Sequence, residues 1–172
     1  MNNMDAIENI LTRKSVRRFE DKEIEQDKID NLLKAAMASP SGVNKQPWKF
    51  IVVKSEENKK KVIDNMPFGK YDSPIIIIPC VRDLETVPLN HDLAYCDLSS
   101  ATENILLMAH AQGLGAVWCA IYPSKSRIKA IRKALGLPAG ISPFSAIYVG
   151  YPSLNDKSQV KDKYKERNIE YL

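Results

Sequence analysis

The run from Ile75 to Val81 has no charged or hydroxyl-bearing residue, and it begins with four isoleucines in succession. β-Branched side chains favour strands over helices. Pro74 and Arg82 bound the run, so it reads as one strand. An ordinary surface strand gives every second side chain to water. This one has no polar side to give, so both of its faces must be covered. Pro79 lacks a ladder donor and predicts an edge or a bulge near the end of the run.

Helical spacing supplies the cover. Ile29, Leu32, Leu33, Ala36 and Met37 recur at i, i+3, i+4, i+7 and i+8, with Lys28, Asp30 and Lys34 outside the stripe. A shorter amphipathic helix is predicted from Met4 to about Thr12, on Ile7, Ile10 and Leu11. Trp48 to Lys54 reads as a strand, and Glu56 to Asn65 as a helix. The longest helix spans Asp92 to Gln112. It carries small and apolar residues on more than one side, which predicts that a second subunit covers part of it. Gly113 would cap it. A strand from Ala116 to Ile121, a helix from Ser124 to Leu135 and a strand from Ser145 to Val149 follow.

Two helices precede the first strand, and no glycine-rich strand-to-helix turn appears. The expected class is therefore α+β, with a mixed or antiparallel sheet flanked by helices. Residues 1–172 form one domain. The polar tail from Tyr151 to Leu172 has few anchors (Tyr164, Ile169, Tyr171 and Leu172), so it is either disordered or draped over a partner.

Several functions are excluded on composition. The net charge of +4 is spread from Arg13 to Arg167, not gathered into the stripe that nucleic acid requires, and no nucleic-acid partner is expected. Lys59-Lys60-Lys61 wraps a helix and reads as a solvated surface. No apolar stretch approaches the roughly 20 residues that span a bilayer. Met1 to Glu8 lacks an apolar signal core, so the expectation is a cytoplasmic protein with no membrane partner. Cys80, Cys96 and Cys119 form no CxxC pair, and His91 and His110 are isolated, so no metal site is expected and the thiols should be reduced and mostly buried.

Three segments carry possible chemistry. Arg13-Lys14-Ser15-Val16-Arg17-Arg18-Phe19 holds four cations and a hydroxyl at the exit of the first helix. A helix C-terminus repels anions, so any phosphate here must be held by side chains. A solvated basic turn is the alternative. Ala38 to Trp48 combines small residues and two prolines with the carboxamides of Asn44 and Gln46, each both donor and acceptor. It suits the edge of a flat heterocycle, or simply a rigid connector. Gly113-Leu114-Gly115 leads into a strand ending at Cys119-Ala120-Ile121-Tyr122-Pro123, which suits a floor for a ring or a plain core strand.

In this order, the three segments together resemble the nitroreductase family of flavoproteins. Pro40-Ser41-Gly42-Val43-Asn44-Lys45-Gln46-Pro47-Trp48 is the most specific element, and Glu103-Asn104 is similar to part of the family's central interface helix. The resemblance implies an intertwined homodimer with one FMN per subunit, bound by residues of both chains. Arg13, Lys14 and Ser15 would contact the phosphate and ribityl chain, and Arg17 would reach the pyrimidine ring and stabilise negative charge on the reduced flavin. Pro40, Ser41, Gly42, Asn44 and Gln46 would line the isoalloxazine from the partner. Cys119, Ala120, Ile121, Tyr122 and Pro123 would pass near N5 and O4. Lys163 and Arg167 would close on the phosphate, and Lys70 is a further candidate for the ring. No side chain is expected to be catalytic, because the flavin carries hydride from NAD(P)H to a nitroaromatic, quinone or flavin-type acceptor by a ping-pong course. The alternatives are a non-enzymatic FMN-binding or redox-partner protein, or a specialised flavin reaction on the same fold. Ile121-Tyr122-Pro123 stands where longer relatives carry Glu-Gly, which leaves acceptor choice open.

Overall fold

A computed structural model describes residues 5–82 and 91–172. Helices α1 (Ala6–Thr12) and α2 (Gln26–Met37) come first, followed by β1 (Trp48–Val53), α3 (Glu56–Asp64) and β2 (Ile75–Val81). Then come α4 (His91–Ala111), β3 (Gly115–Ala120), α5 (Lys125–Ala134), β4 (Ser142–Pro143) and β5 (Ser145–Gly150). The expected elements are all present, to within a few residues at their ends. The proposed helix start at Met4 lies outside the described residues. Short β4 was not anticipated: two residues carry no periodicity.

The sheet order is β1-β2-β5-β3, and every strand pair is antiparallel. Among the described residues, parallel pairing appears only as an isolated bridge between Ser15 and Ala116. The four isoleucines divide as a two-residue period requires. Ile75 and Ile77 pack with α2 and α4 through Ile29, Leu32, Leu98 and Ile105. Ile76 and Ile78 pack with α3 and α5 through Val62 and Ile131. Both faces of β2 are thus buried, and α+β is the observed class.

Pro79 sits in an interior strand, not at an edge. β5 pairs Ile75 to Ile77, β4 pairs Cys80 and Val81, and the partner strand breaks between them at Phe144. The Pro79 carbonyl accepts the Phe144 N–H at 2.9 Å. The missing Pro79 N–H points to the same side, where the partner strand already breaks, so little pairing is lost.

Helix α4 runs across the sheet and packs on α2. Its Ala94, Leu98, Ala101, Ile105 and Ala109 are buried within the single subunit. Gly113 adopts φ +74° and ends it, with its N–H on the His110 carbonyl at 3.0 Å. Helix α1, by contrast, buries nothing: Ile7, Ile10 and Leu11 all face outward.

Three expectations need correction. Lys59 is buried, not solvated; its Nζ donates to the Ser73 carbonyl at 2.9 Å and pairs with Glu56 at 2.6 Å. Cys96 is exposed, whereas Cys80 is buried and its thiol is pushed up to about 12 by desolvation. The start of the tail is held by its own chain: Ser153 N–H bonds the Arg18 carbonyl at 3.0 Å. The anchors Tyr164, Ile169, Tyr171 and Leu172 remain exposed.

Candidate functional site

The stretch after α1 is extended, not helical, because it runs alongside the sheet edge. Val16 N–H donates to the Ala116 carbonyl at 3.0 Å, and Val16 packs on Gly115. A Cβ on Gly115 would lie 2.6 Å from that of Val16, so only glycine admits the approach. This docking fixes the basic turn. It turns Arg13, Lys14, Ser15, Arg17 and Arg18 into a groove of about 1230 Å³. The opposite wall is the tail from Asp156 to Tyr164, including Lys163. Arg167, on the final short turn, does not line it.

The groove is strongly cationic. Arg13 Nε pairs with Glu103 on α4 at 2.9 Å, which leaves its terminal nitrogens for another anion. Lys14 Nζ donates to the Ser158 carbonyl at 2.6 Å and lies 4.0 Å from Asp156. Arg17 Nη1 reaches the Ser15 carbonyl at 3.3 Å. Among the described residues, Arg17 and Arg18 have no carboxylate within ion-pair distance. Burial pushes the Asp156 carboxyl up, but hydrogen bonds from Arg17 and Ser158, with Lys14 nearby, outweigh it and hold it below the usual range.

The second motif lies on another side of α4. Asn104 Nδ2 donates to Ser39 Oγ at 2.7 Å and to the Ala35 carbonyl at 3.0 Å. Asp97 accepts the Gly42 N–H at 3.0 Å. Ser41 Oγ accepts the Gln46 N–H at 3.0 Å, and Gln46 Nε2 bonds Asn44 Oδ1 at 3.2 Å. Val43, Asn44 and Gln46 have φ of 44°, 56° and 50°. Left-handed backbone costs a non-glycine residue of order 1–3 kcal/mol and is rarest for a β-branched one. These bonds hold the loop in that shape, a form of strain that gathers where ligands are clamped. Val43, Asn44 and Gln46 are exposed, as is Pro40.

The third segment diverges residue by residue. Ile121 is fully buried in the α3–α5 core, so only its backbone is available to a ligand. Tyr122 stacks on Tyr95 with ring centres 3.7 Å apart. Ala120 and Pro123 are exposed. Cys119 is partly buried; desolvation raises its thiol, and the Arg17 guanidinium opposes that rise. The charge of Arg17 is thus felt at the end of β3. Lys70 is exposed, beside Gly69, whose site is closed by Cys119 Sγ.

Among the described residues, the three segments do not share the groove. The groove includes neither Pro40, Ser41, Gly42, Asn44 and Gln46 nor Cys119 to Pro123. Glu103 binds the basic turn on one side of α4, while Asp97 and Asn104 hold the loop on another. Sequence reading missed the groove residues Asp156 and Ser158. Their signal was the turn-forming composition of Ser153-Leu154-Asn155-Asp156-Lys157-Ser158. Among the described residues, no group of His, Cys, Asp and Glu could hold a metal, and no helix is long and apolar enough to cross a membrane.

The pattern of the nitroreductase family matches residues 10–74 and 68–151, and the chain belongs to that family. A protein of Methanothermobacter thermautotrophicus with the provisional name NADH dehydrogenase/NAD(P)H nitroreductase is 43% identical over 155 residues, 88% of this chain and 80% of its own. A solved structure from Bacteroides thetaiotaomicron, under the same provisional name, is 39% identical with a TM-score of 0.88, covering 96% of each chain. A provisionally named nitroreductase from Desulfovibrio desulfuricans, solved in complex with FMN, is 26% identical with a TM-score of 0.80, covering 96% of this chain and 95% of its own.

Proposed function

We propose that this chain is an FMN-dependent oxidoreductase that takes hydride from NADH or NADPH and passes it to a nitroaromatic, quinone or flavin-type acceptor. What carries the reading is the groove between the basic turn and the tail. Its donors are cations and hydroxyls converging on open space, the donor set that a phosphate monoester requires. Arg17 and Arg18 stand there without carboxylate partners among the described residues. FMN fits this donor set. Bound, it supplies a ring that accepts and returns hydride at N5.

The chain's own residues bind and orient. Arg13, Lys14 and Ser15 would hold the phosphate and ribityl end, with Lys163 approaching from the tail; Arg167, outside the groove, is not assigned a contact. Arg17, between the basic turn and Cys119, would place positive charge beside the pyrimidine ring and favour the reduced, negatively charged state. Pro40, Ser41, Gly42, Asn44 and Gln46 of a second copy would line the ring. The backbone from Cys119 to Pro123 would border N5. The exposed apolar stripe of α1 supports this homodimeric arrangement. Donor and acceptor would occupy the same face in turn, which gives ping-pong kinetics.

The deciding experiment is stopped-flow spectroscopy of the purified yellow protein. Bleaching by NADH or NADPH, followed by reoxidation with a nitroaromatic or quinone, is expected. A colourless protein that takes up no added FMN would reject the reading. FMN that binds but is not bleached would make the chain a flavin-binding redox partner, not an NAD(P)H oxidoreductase.

A further inference from the structure

Between Glu103 and Asp156 the sequence contains no Asp or Glu, and every cation in that interval lies on α5. Lys125, Lys129, Arg132 and Lys133 fall at i, i+4, i+7 and i+8 on one side of the helix, a local gathering that corrects the reading of evenly spread charge. The three lysines are exposed, while Arg132 is half-buried with its Nη2 donating to the Pro138 carbonyl at 3.2 Å. The stripe extends over about 12 Å at 1.5 Å per residue. Ile131, Ile128 and Leu135 sit on the side turned to the core.

The neighbouring helix sets the contrast. In α3 each lysine has its own carboxylate: Lys59 with Glu56, Lys60 with Asp64 and Lys61 with Glu57. That is how a solvated helix normally balances its charge. Among the described residues, none of the five α5 cations has an ion-pair partner. The first turn has no acid either, and it carries Lys125 and Arg127 where the helix dipole disfavours positive charge. Arg132 and Lys133, in the last turn, stand where the dipole favours them, so what sets α5 apart from α3 is Lys125 at the wrong end and the lack of carboxylate partners along the helix.

The position of the stripe is specific. Arg127 turns away from it, and its Nη1 donates to the Ala120 carbonyl at 2.5 Å, tying the start of α5 to the end of β3. α5 packs with α3 on the sheet face opposite α2 and α4, so a dimer formed through the exposed stripe of α1 would leave it free.

We infer that the exposed face of α5 docks an acidic electron-carrier protein. This rests on the flavin reading, which puts the reacting ring beside the segment that Arg127 holds. Three exposed lysines spread over about 12 Å match a row of carboxylates on a protein better than one phosphate group. Two reduced one-electron carriers, each oxidised in turn, deliver two electrons. With one proton from water these equal the hydride that a nicotinamide gives.

The test uses the FMN-loaded protein and an acidic [2Fe–2S] ferredoxin as probe, with binding measured by calorimetry at low and high salt. Binding at low salt should weaken at least about ten-fold when the Debye length is shortened. The variant Lys125→Glu/Lys129→Glu/Lys133→Glu should weaken it at least about ten-fold, with FMN content and melting temperature unchanged. The milder Lys125→Gln/Lys129→Gln pair covers the case in which the triple variant does not fold. Lys60→Glu, on α3, should leave binding unaltered. Absence of binding at low salt, or equal binding by the stripe variants, overturns the inference. So does an increase in KM for NADPH with undiminished ferredoxin binding, which would make the nucleotide the occupant. A protein that binds ferredoxin through α5 but takes up no FMN defeats the flavin reading alone. A protein bleached by NADH that ignores ferredoxin defeats the docking face alone.

Discussion

The carboxylate of Asp156 accepts the backbone N–H of Arg17 at 3.2 Å, joining the tail to the basic turn. Ser158 completes the latch, with its Oγ on Asp156 Oδ1 at 3.0 Å and its N–H on Oδ2 at 3.2 Å. The Asp156 side chain is only 5% exposed. Its folded pKa is depressed, so the latch contributes stability above the ordinary carboxylate range and loses it as pH falls through the folded value.

Asp156→Asn keeps the shape and removes the charged acceptor. It should destabilise the tail locally by about 1–3 kcal/mol, because hydrogen bonds to a charged group are lost. Hydrogen exchange should accelerate at residues 157–164 and leave the β2 amides protected. Equal protection of the tail in both proteins would show that Asp156 does not hold it.

Arg13→Ala should weaken FMN binding by about 1–3 kcal/mol through loss of a charge-assisted phosphate contact. Riboflavin, which lacks the phosphate, should bind the wild type poorly and be nearly indifferent to the substitution. Paired fluorescence titrations decide the matter: an equal loss for both ligands would mean that Arg13 acts through Glu103 on α4 and not on a phosphate.

Much of this fold was legible because period and composition agree. The isoleucine run required two covered faces, and the alternation of Ile75 and Ile77 against Ile76 and Ile78 delivers them. Lys59 was misread because its neighbours in sequence are solvated, whereas its Nζ is drawn inward by the Ser73 carbonyl, which no local pattern encodes. The basic turn and the Pro40–Trp48 loop were identified by residue type, and the structure supplies their anchors, Glu103, Asp97 and Asn104, from a helix far along the chain. Ile121 was chosen by position in a motif. Period two, counted from Val117 and Cys119, would have placed its side chain in the core.

His110 offers a built-in reporter on the groove. Desolvation and the nearby charges of Arg13 and Lys14 lower its pKa, and Thr12 Oγ1 lies 2.9 Å from its Nε2. A depressed histidine favours the neutral form, so its contribution to stability is present above about 6.5 and is lost as pH falls through the folded value. Saturation with FMN or inorganic phosphate should offset the two cations and raise the His110 pKa. An NMR titration with and without FMN checks this, and coincident curves would place the anion elsewhere.

Subunit association is best tested on α1. Ile7 is 68% exposed in the single subunit and stands clear of the groove that Ile10 and Leu11 help to line, so Ile7→Glu should leave the fold and the groove intact. It should convert a dimer into a monomer on gel filtration and deplete bound FMN, if two chains complete each site. Ala101 is unsuitable despite its place on the long helix. It is fully buried within one subunit, and a glutamate there would disrupt the core first.

Arg17 separates reactivity from binding. Its guanidinium is near enough to Cys119 to oppose the rise of that thiol's pKa, so its charge reaches the end of β3. Reduction places negative charge on the pyrimidine side of the ring, and a cation there stabilises the reduced state more than the oxidised one. A differential stabilisation of about 1–3 kcal/mol corresponds to about 20–65 mV in a two-electron potential. Arg17→Ala should therefore lower the midpoint potential of bound FMN by about that amount and slow its bleaching by NAD(P)H. Arg13, Lys14 and Ser15 should still retain oxidised FMN. Spectroelectrochemistry at saturating FMN makes the measurement. An unchanged potential would reduce Arg17 to one more phosphate ligand or a solvated charge.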